Sequence, residues 1–119
     1  MKRHNFKKLH IWKDSMGLIQ DTYSVTTKFP DIEKFGLRSQ LNRCSVSIAS
    51  NIAEGSSKRS NKHFILFLEI SLGSAFEWET QMIASHQLGY LHEKQFSNLE
   101  EKINTIQKKI SNFIDKLHE

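Results

Sequence analysis

Between Phe96 and Leu117 the residues Phe96, Leu99, Ile103, Ile106, Ile110, Phe113 and Leu117 form an apolar series whose steps alternate three and four without interruption. That period follows one side of an α-helix, and no strand alternation competes with it. An isolated helix cannot bury such a seam. The chain must therefore supply partner helices.

Three further helices complete the pattern. The first spans about Lys8 to Lys28, with Leu9, Trp12, Met16, Ile19 and Tyr23 as its main stripe. Pro30 ends it, because proline forces the residue before it out of the helical region. A second apolar row, Ile11, Leu18 and Val25, lies elsewhere on its circumference. The second helix spans about Gly36 to Ala53, buries Leu37, Leu41, Cys44, Ile48 and Ile52, and stops at Gly55, a natural left-handed terminator. Its many Ser residues give poor helix propensity but allow a neighbour to approach closely. The third, capped by Ser60 or Asn61, spans about Lys62 to Leu88 with Gly89 as its stop, and its first half is apolar on nearly all sides. The fourth spans about Glu93 to Leu117. Short connections between long helices imply antiparallel neighbours.

The fold expected is thus all-α, an antiparallel up-down-up-down four-helix bundle, one domain over residues 1–119 with a short basic segment at 1–7. Trp12, Met16, Leu41, Ile48, Leu68, Leu72, Ile106 and Phe113 are the expected core. Ile11, Leu18 and Val25, with Phe64 and Phe67 of the third helix, exceed what four helices can enclose. They are the expected oligomer interface.

Charge narrows the function. The formal net charge is +4, and its distribution says more than its sum. Lys2, Arg3, Lys7, Lys8 and Lys13 open the chain without an acid among them, Arg38 and Arg43 are the only charges of the second helix before Glu54, and Lys58, Arg59 and Lys62 follow it. Phe64 to His92 holds no Lys or Arg, only Glu69, Glu77 and Glu79. Basic clusters of this kind suit phosphate contacts, which carry no base information. The nucleic-acid-binding set expected is Arg38, Arg43, Lys58, Arg59, Lys62, Lys7 and Lys8. No apolar run reaches the length of a membrane span, one cysteine excludes an intrachain disulfide, and a cytoplasmic location without membrane contact is expected.

Catalytic and metal chemistry finds little support. No Glu precedes a His by three residues, as a di-iron bundle requires, and Phe96 stands where His92-Glu93 would need a second His for a zinc-protease motif. Glu69 and Glu77 lie near one helical face with no nucleophile beside them, and they are expected either to pair with Arg38 or Arg43 or to line an interface. Cys44 falls on an inward stripe, where apolar surroundings raise a thiol's pKa. Gly55-Ser56-Ser57-Lys58-Arg59 lacks the Gly-Lys-Ser ending of a nucleotide loop, although a helix start beside Ser, Lys and Arg favours anions. No enzyme, metal or cofactor is expected.

The sequence also resembles a known family. Phe6, Leu9, Trp12, Phe29-Pro30, Phe35-Gly36-Leu37, Ser39-Gln40, Arg43, Ser47-Ile48, Asn51-Ile52-Ala53-Glu54-Gly55, Phe67-Leu68, Gly73-Ser74 and Glu77-x-Glu79 occur in the order seen in the bacterial four-helix-bundle proteins named after intervening sequences in large-subunit ribosomal RNA genes. The resemblance spans about Phe6 to Leu91. It implies a bundle that assembles into a ring, commonly a homopentamer. It also implies a relationship to the accessory protein of diversity-generating retroelements, a basic ring that binds a reverse transcriptase and nucleic acid. Cys44 stands where that pattern has a small residue such as Ala. The function expected is a non-catalytic oligomer that binds RNA or DNA; the alternative is an adaptor that docks onto an acidic protein or a reverse transcriptase.

Overall fold

The computed structural model describes residues 3–119; Met1 and Lys2 lie outside the described residues. Four helices form it: α1 (His10–Thr26), α2 (Leu37–Ser56), α3 (Asn61–Gln87) and α4 (Glu93–His118). Short 3-10 turns at Phe6–Lys8 and Asp31–Glu33 precede α1 and α2. No strand occurs among the described residues.

Each helix packs on its two neighbours in a square, and the backbones of the diagonal pairs stay apart. Side-chain pairings give the directions. Ser47 meets Ser74 and Gln81 reaches Gln40, so α2 and α3 run antiparallel. Phe64 packs on Phe113, and Gln107 reaches Glu79, so α3 and α4 do likewise. Asp14 pairs with Lys109 and Asp21 with Lys102, which sets α1 antiparallel to α4. The up-down-up-down bundle expected from short connections is the architecture found.

The seam of α4 lies inward, with Leu99, Ile103, Ile106 and Ile110 buried and Phe96, Phe113 and Leu117 packed against the core. His92 caps that helix. Its ring nitrogen accepts from Gln95 N–H, and the Gln95 side chain accepts from His92 N–H, a reciprocal box that satisfies two free amides. Gly89, at φ +81°, ends α3 as expected.

Helix α1 is phased differently from the expectation. Its inward row is Ile11, Ser15, Leu18, Thr22 and Thr26, all buried. Trp12, Leu9 and Ile19 are only half-buried, while Met16 and Tyr23 are exposed. Hydroxyls explain why periodicity misleads here. Ser15 Oγ donates to Ile11 O at 2.7 Å, Thr22 Oγ1 to Leu18 O at 2.6 Å and Thr26 Oγ1 to Asn42 Oδ1 at 2.7 Å. Small polar residues so satisfied can sit in a core at little penalty, yet they break its apolar pattern. Of the other expected core residues, Leu41, Ile48, Leu68 and Ile106 are buried, whereas Leu72 and Phe113 are half-buried.

The expected interface set is corrected by the same phasing. Ile11, Leu18 and Phe64 lie in the molecule's own core, and Val25 and Phe67 are half-buried. The first half of α3 is not enclosed on all sides. Leu66 and Ile70 in that half, and Phe76 and Ile83 beyond it, are exposed, 55%, 47%, 54% and 36% accessible. Apolar surface is thus in excess, but on the outward side of α3.

Gly55 also has another role than termination. Helix α2 continues through it to Ser56. A β-carbon there would stand 2.8 Å from Phe67 Cβ and 2.9 Å from Phe64 Cδ1, so glycine lets α3 cross close to α2.

Candidate nucleic-acid interface

The chain start folds back onto the α2–α3 turn. His4 N–H donates to Ser56 O at 3.2 Å, and Arg3 Nε donates to Ser57 O at 2.6 Å. The His4 ring packs edge-on against Phe64 and Phe113 at centroid distances of 4.9 and 6.1 Å, and Phe6 packs on Trp12 at 5.1 Å. Asn5 caps the turn that follows by accepting from Lys7 N–H at 3.1 Å. These contacts bring Arg3, Lys7 and Lys8 to the end of the bundle that carries Lys58, Arg59 and Lys62. Two clusters some fifty residues apart in sequence become one basic end.

Most of these cations face solvent, and among the described residues none is ion-paired; the pairs found are Lys102–Asp21, Lys109–Asp14 and, when His86 is protonated, His86–Glu93. Lys58 is half-buried, its Nζ 4.9 Å above the Phe67 ring. That contact fixes the ammonium while leaving its protons free for an anion. Glu54, Asp115 and Glu119 are the carboxylates near the same end, so the surface is mixed but predominantly basic.

Two expected residues lie elsewhere. Arg38 is half-buried at the opposite end, its Nη2 donating to Phe29 O at 2.6 Å, and it braces the α1–α2 connection. Arg43 is exposed midway along α2, beside a shallow recess lined by Gln40, Cys44, Ser47, Glu77 and Gln81. Neither Glu69 nor Glu77 forms the expected ion pair. Glu77 instead accepts from Cys44 Sγ at 3.2 Å. Burial first, and then that carboxylate, push the Cys44 thiol up to about 12, so it stays protonated at neutral pH.

The Gly55–Arg59 segment makes no phosphate cradle. Gly55 and Ser56 are buried, and the Ser56 and Ser57 hydroxyls both donate to backbone carbonyls, Ala53 O and Glu54 O, at 2.6 Å. Its contribution is the pair of cations that follow. No cluster of three potential metal ligands occurs among the described residues, and no helix there is long and apolar enough to cross a membrane. The docking of Arg3 and His4 is not visible in the sequence, because backbone carbonyls at a helix end carry no residue signature.

Comparison with known proteins agrees with this architecture. A solved structure from Bacteroides thetaiotaomicron VPI-5482, a protein with unknown function from the S23 ribosomal protein family, superposes with a TM-score of 0.81 at 23% identity, over 88% of this chain and 95% of the other. That likeness shows the shared fold. No curated protein matches the chain. Residues 7–112, which include α1, α2, α3 and most of α4, match the family model of the 23S rRNA-intervening sequence protein. The chain belongs to the 23S rRNA-intervening sequence protein family.

Proposed function

We propose that this protein is a non-catalytic, cytoplasmic nucleic-acid-binding protein that assembles with copies of itself and holds RNA or DNA through phosphate contacts. The observation that carries this reading is the folding back of Arg3, Lys7 and Lys8 onto the Lys58–Lys62 turn. Unpaired cations gathered on one end can neutralise several adjacent phosphates, and binding of that kind is a many-contact electrostatic effect. The family's name, which refers to ribosomal RNA, is in keeping with an RNA ligand.

Self-assembly is supported by Leu66, Ile70, Phe76 and Ile83, four large apolar residues exposed on one helix, since apolar surface concentrated on one side of a protein usually marks an interface. A ring, of five copies as the family resemblance implies, would repeat the basic end around its axis and strengthen the field of each modest cluster.

The test is a salt series on RNA and DNA binding by the wild type and by a variant with Lys7, Lys8, Lys58, Arg59 and Lys62 changed to Gln. Wild-type affinity should fall linearly on a log-log plot, and the variant should bind all sequences more weakly with a shallower slope. Unchanged affinity in the variant would overturn the basic end as the binding site. No nucleic-acid binding by the wild type would leave the adaptor reading, with an acidic protein or a reverse transcriptase as partner.

A further inference from the structure

The groove between α1 and α4 changes character along its length. In its middle section Asp14, Asp21 and Glu101 stand among the lysines, and the two aspartates are bridged to Lys109 and Lys102. Where α1 begins and α4 ends, at the basic end of the bundle, the groove holds about 720 Å³ and none of the residues lining it is acidic. That volume lies within the roughly 300–1,000 Å³ of small-molecule sites.

The bottom of this section is apolar. Ile11 is buried there, and Leu9 and Phe113 are half-buried. The Phe113 ring is fixed in place by its edge-on contacts with Phe64 and His4. His10 on the α1 side and Asn112 on the α4 side are both exposed along the same section. An imidazole can stack on a flat ring, and a carboxamide both donates and accepts hydrogen bonds in its plane.

Free cations surround this apolar floor. Lys109 is neutralised by Asp14 and adds little. Lys116 lines the groove, Lys7 and Lys8 occupy the turn that leads into Leu9, and Lys13 follows one turn into α1; all four are exposed and none is ion-paired among the described residues. Helix α1 also opens without a side-chain cap and without an acid in its first turn, so its positive end adds to the field. The occupant that suits both parts carries a flat, weakly polar ring with an anionic link on either side. A nucleotide within a single strand has that form. In a duplex the bases are paired and stacked and cannot reach the floor, whereas an unpaired base can be splayed out.

We propose that the acid-free end of the α1–α4 groove takes an unpaired base, held against Leu9 and Phe113 beside His10 with its edge toward Asn112, while Lys8, Lys13 and Lys116 hold the adjoining phosphates. This inference rests on the nucleic-acid binding proposed above and names its substrate class, a single strand. Phosphate contacts alone would take a duplex at least as readily, because its charge density is higher. A preference for single strands is therefore the signature of the groove.

Fluorescence anisotropy tests it on the full chain with four labelled probes of one sequence: single-stranded RNA, single-stranded DNA, duplex DNA, and the DNA strand built with abasic residues. The single strands should bind at least about tenfold tighter than the duplex, and the abasic strand should lose that advantage. His10→Ala/Asn112→Ala, two changes at exposed positions whose fold circular dichroism checks, should lower single-strand affinity toward that of the duplex. A duplex bound as tightly as the single strands, an abasic strand bound as tightly as its parent, or an unaltered variant overturns the groove as a base site while phosphate binding stands. A glutamate-rich peptide of equal charge that displaces the single strand as well as unlabelled strand does also overturns it, and makes the groove a peptide site. No binding of any probe would remove the nucleic-acid reading and this inference together. The abasic strand acts on the unaltered protein, so it decides the matter even if the variant fails to fold.

Discussion

Trp78 Nε1 donates to Thr22 Oγ1 at 3.1 Å in the middle of the core, joining α3 to α1 across the diagonal of the bundle. Both residues are fully buried. The same hydroxyl donates to Leu18 O at 2.6 Å, so one oxygen satisfies the indole and closes on its own helix. Thr22→Val keeps the shape and removes the acceptor. The indole N–H is then buried without a partner, which should lower stability by about 1–3 kcal/mol. Urea unfolding monitored by tryptophan fluorescence measures the shift in midpoint. An unshifted midpoint would mean that this bond contributes nothing.

Gly55→Ala tests the closest approach of α2 and α3. Glycine to alanine in an unconstrained helix stabilises by up to about 1 kcal/mol. Here the new methyl meets Phe67 Cβ at 2.8 Å and Phe64 Cδ1 at 2.9 Å, and Phe64 is fully buried, so neither helix can easily give way. Overpacking of this kind should destabilise by about 1–3 kcal/mol. A thermal melt at or above the wild-type temperature would contradict it.

A carboxylate pair between α3 and α4 sets a pH dependence. Glu100 Oε2 is buried with no donor, and Glu79 lies beside it, its Oε1 accepting from Gln107 Nε2 at 2.8 Å. Burial first, and then the neighbouring Glu79 carboxylate, push Glu100 up to about 7. The folded state therefore holds a proton that the unfolded chain, at the ordinary value of 4.5, has already lost. Stability from this site is full below that ordinary value and declines as pH rises through about 7. Glu100→Gln keeps the neutral form at every pH. The variant should gain on the wild type between pH 5 and pH 8, as read from denaturant midpoints at the two pH values. Parallel pH profiles for the two proteins would contradict the assignment.

Periodicity determined four helices, caps and stop residues such as Pro30, Ser60 and Gly89 their approximate limits, and short connections the direction of each, because a 3.6-residue repeat of large apolar groups admits one secondary structure and short connections admit one topology. The α4 seam is legible over most of its length because its inward positions are large aliphatic residues, but at its end Ile114 is buried and Phe113, expected in the core, is half-buried. Helix α1 is not legible in this way, because Ser15, Thr22 and Thr26 pass as surface residues until their hydroxyls are seen bonded within the core. That single error of phase assigned Ile11 and Leu18 to an interface. The basic residues were legible as clusters, but only tertiary structure decided which cluster meets which. Arg3 and His4 dock onto carbonyls at the end of α2 and carry Lys7 and Lys8 to the Lys58–Lys62 turn, while Arg38 is drawn to Phe29 O at the far end. Charge is written residue by residue in the sequence, whereas the surface on which charges gather depends on backbone groups that every residue shares.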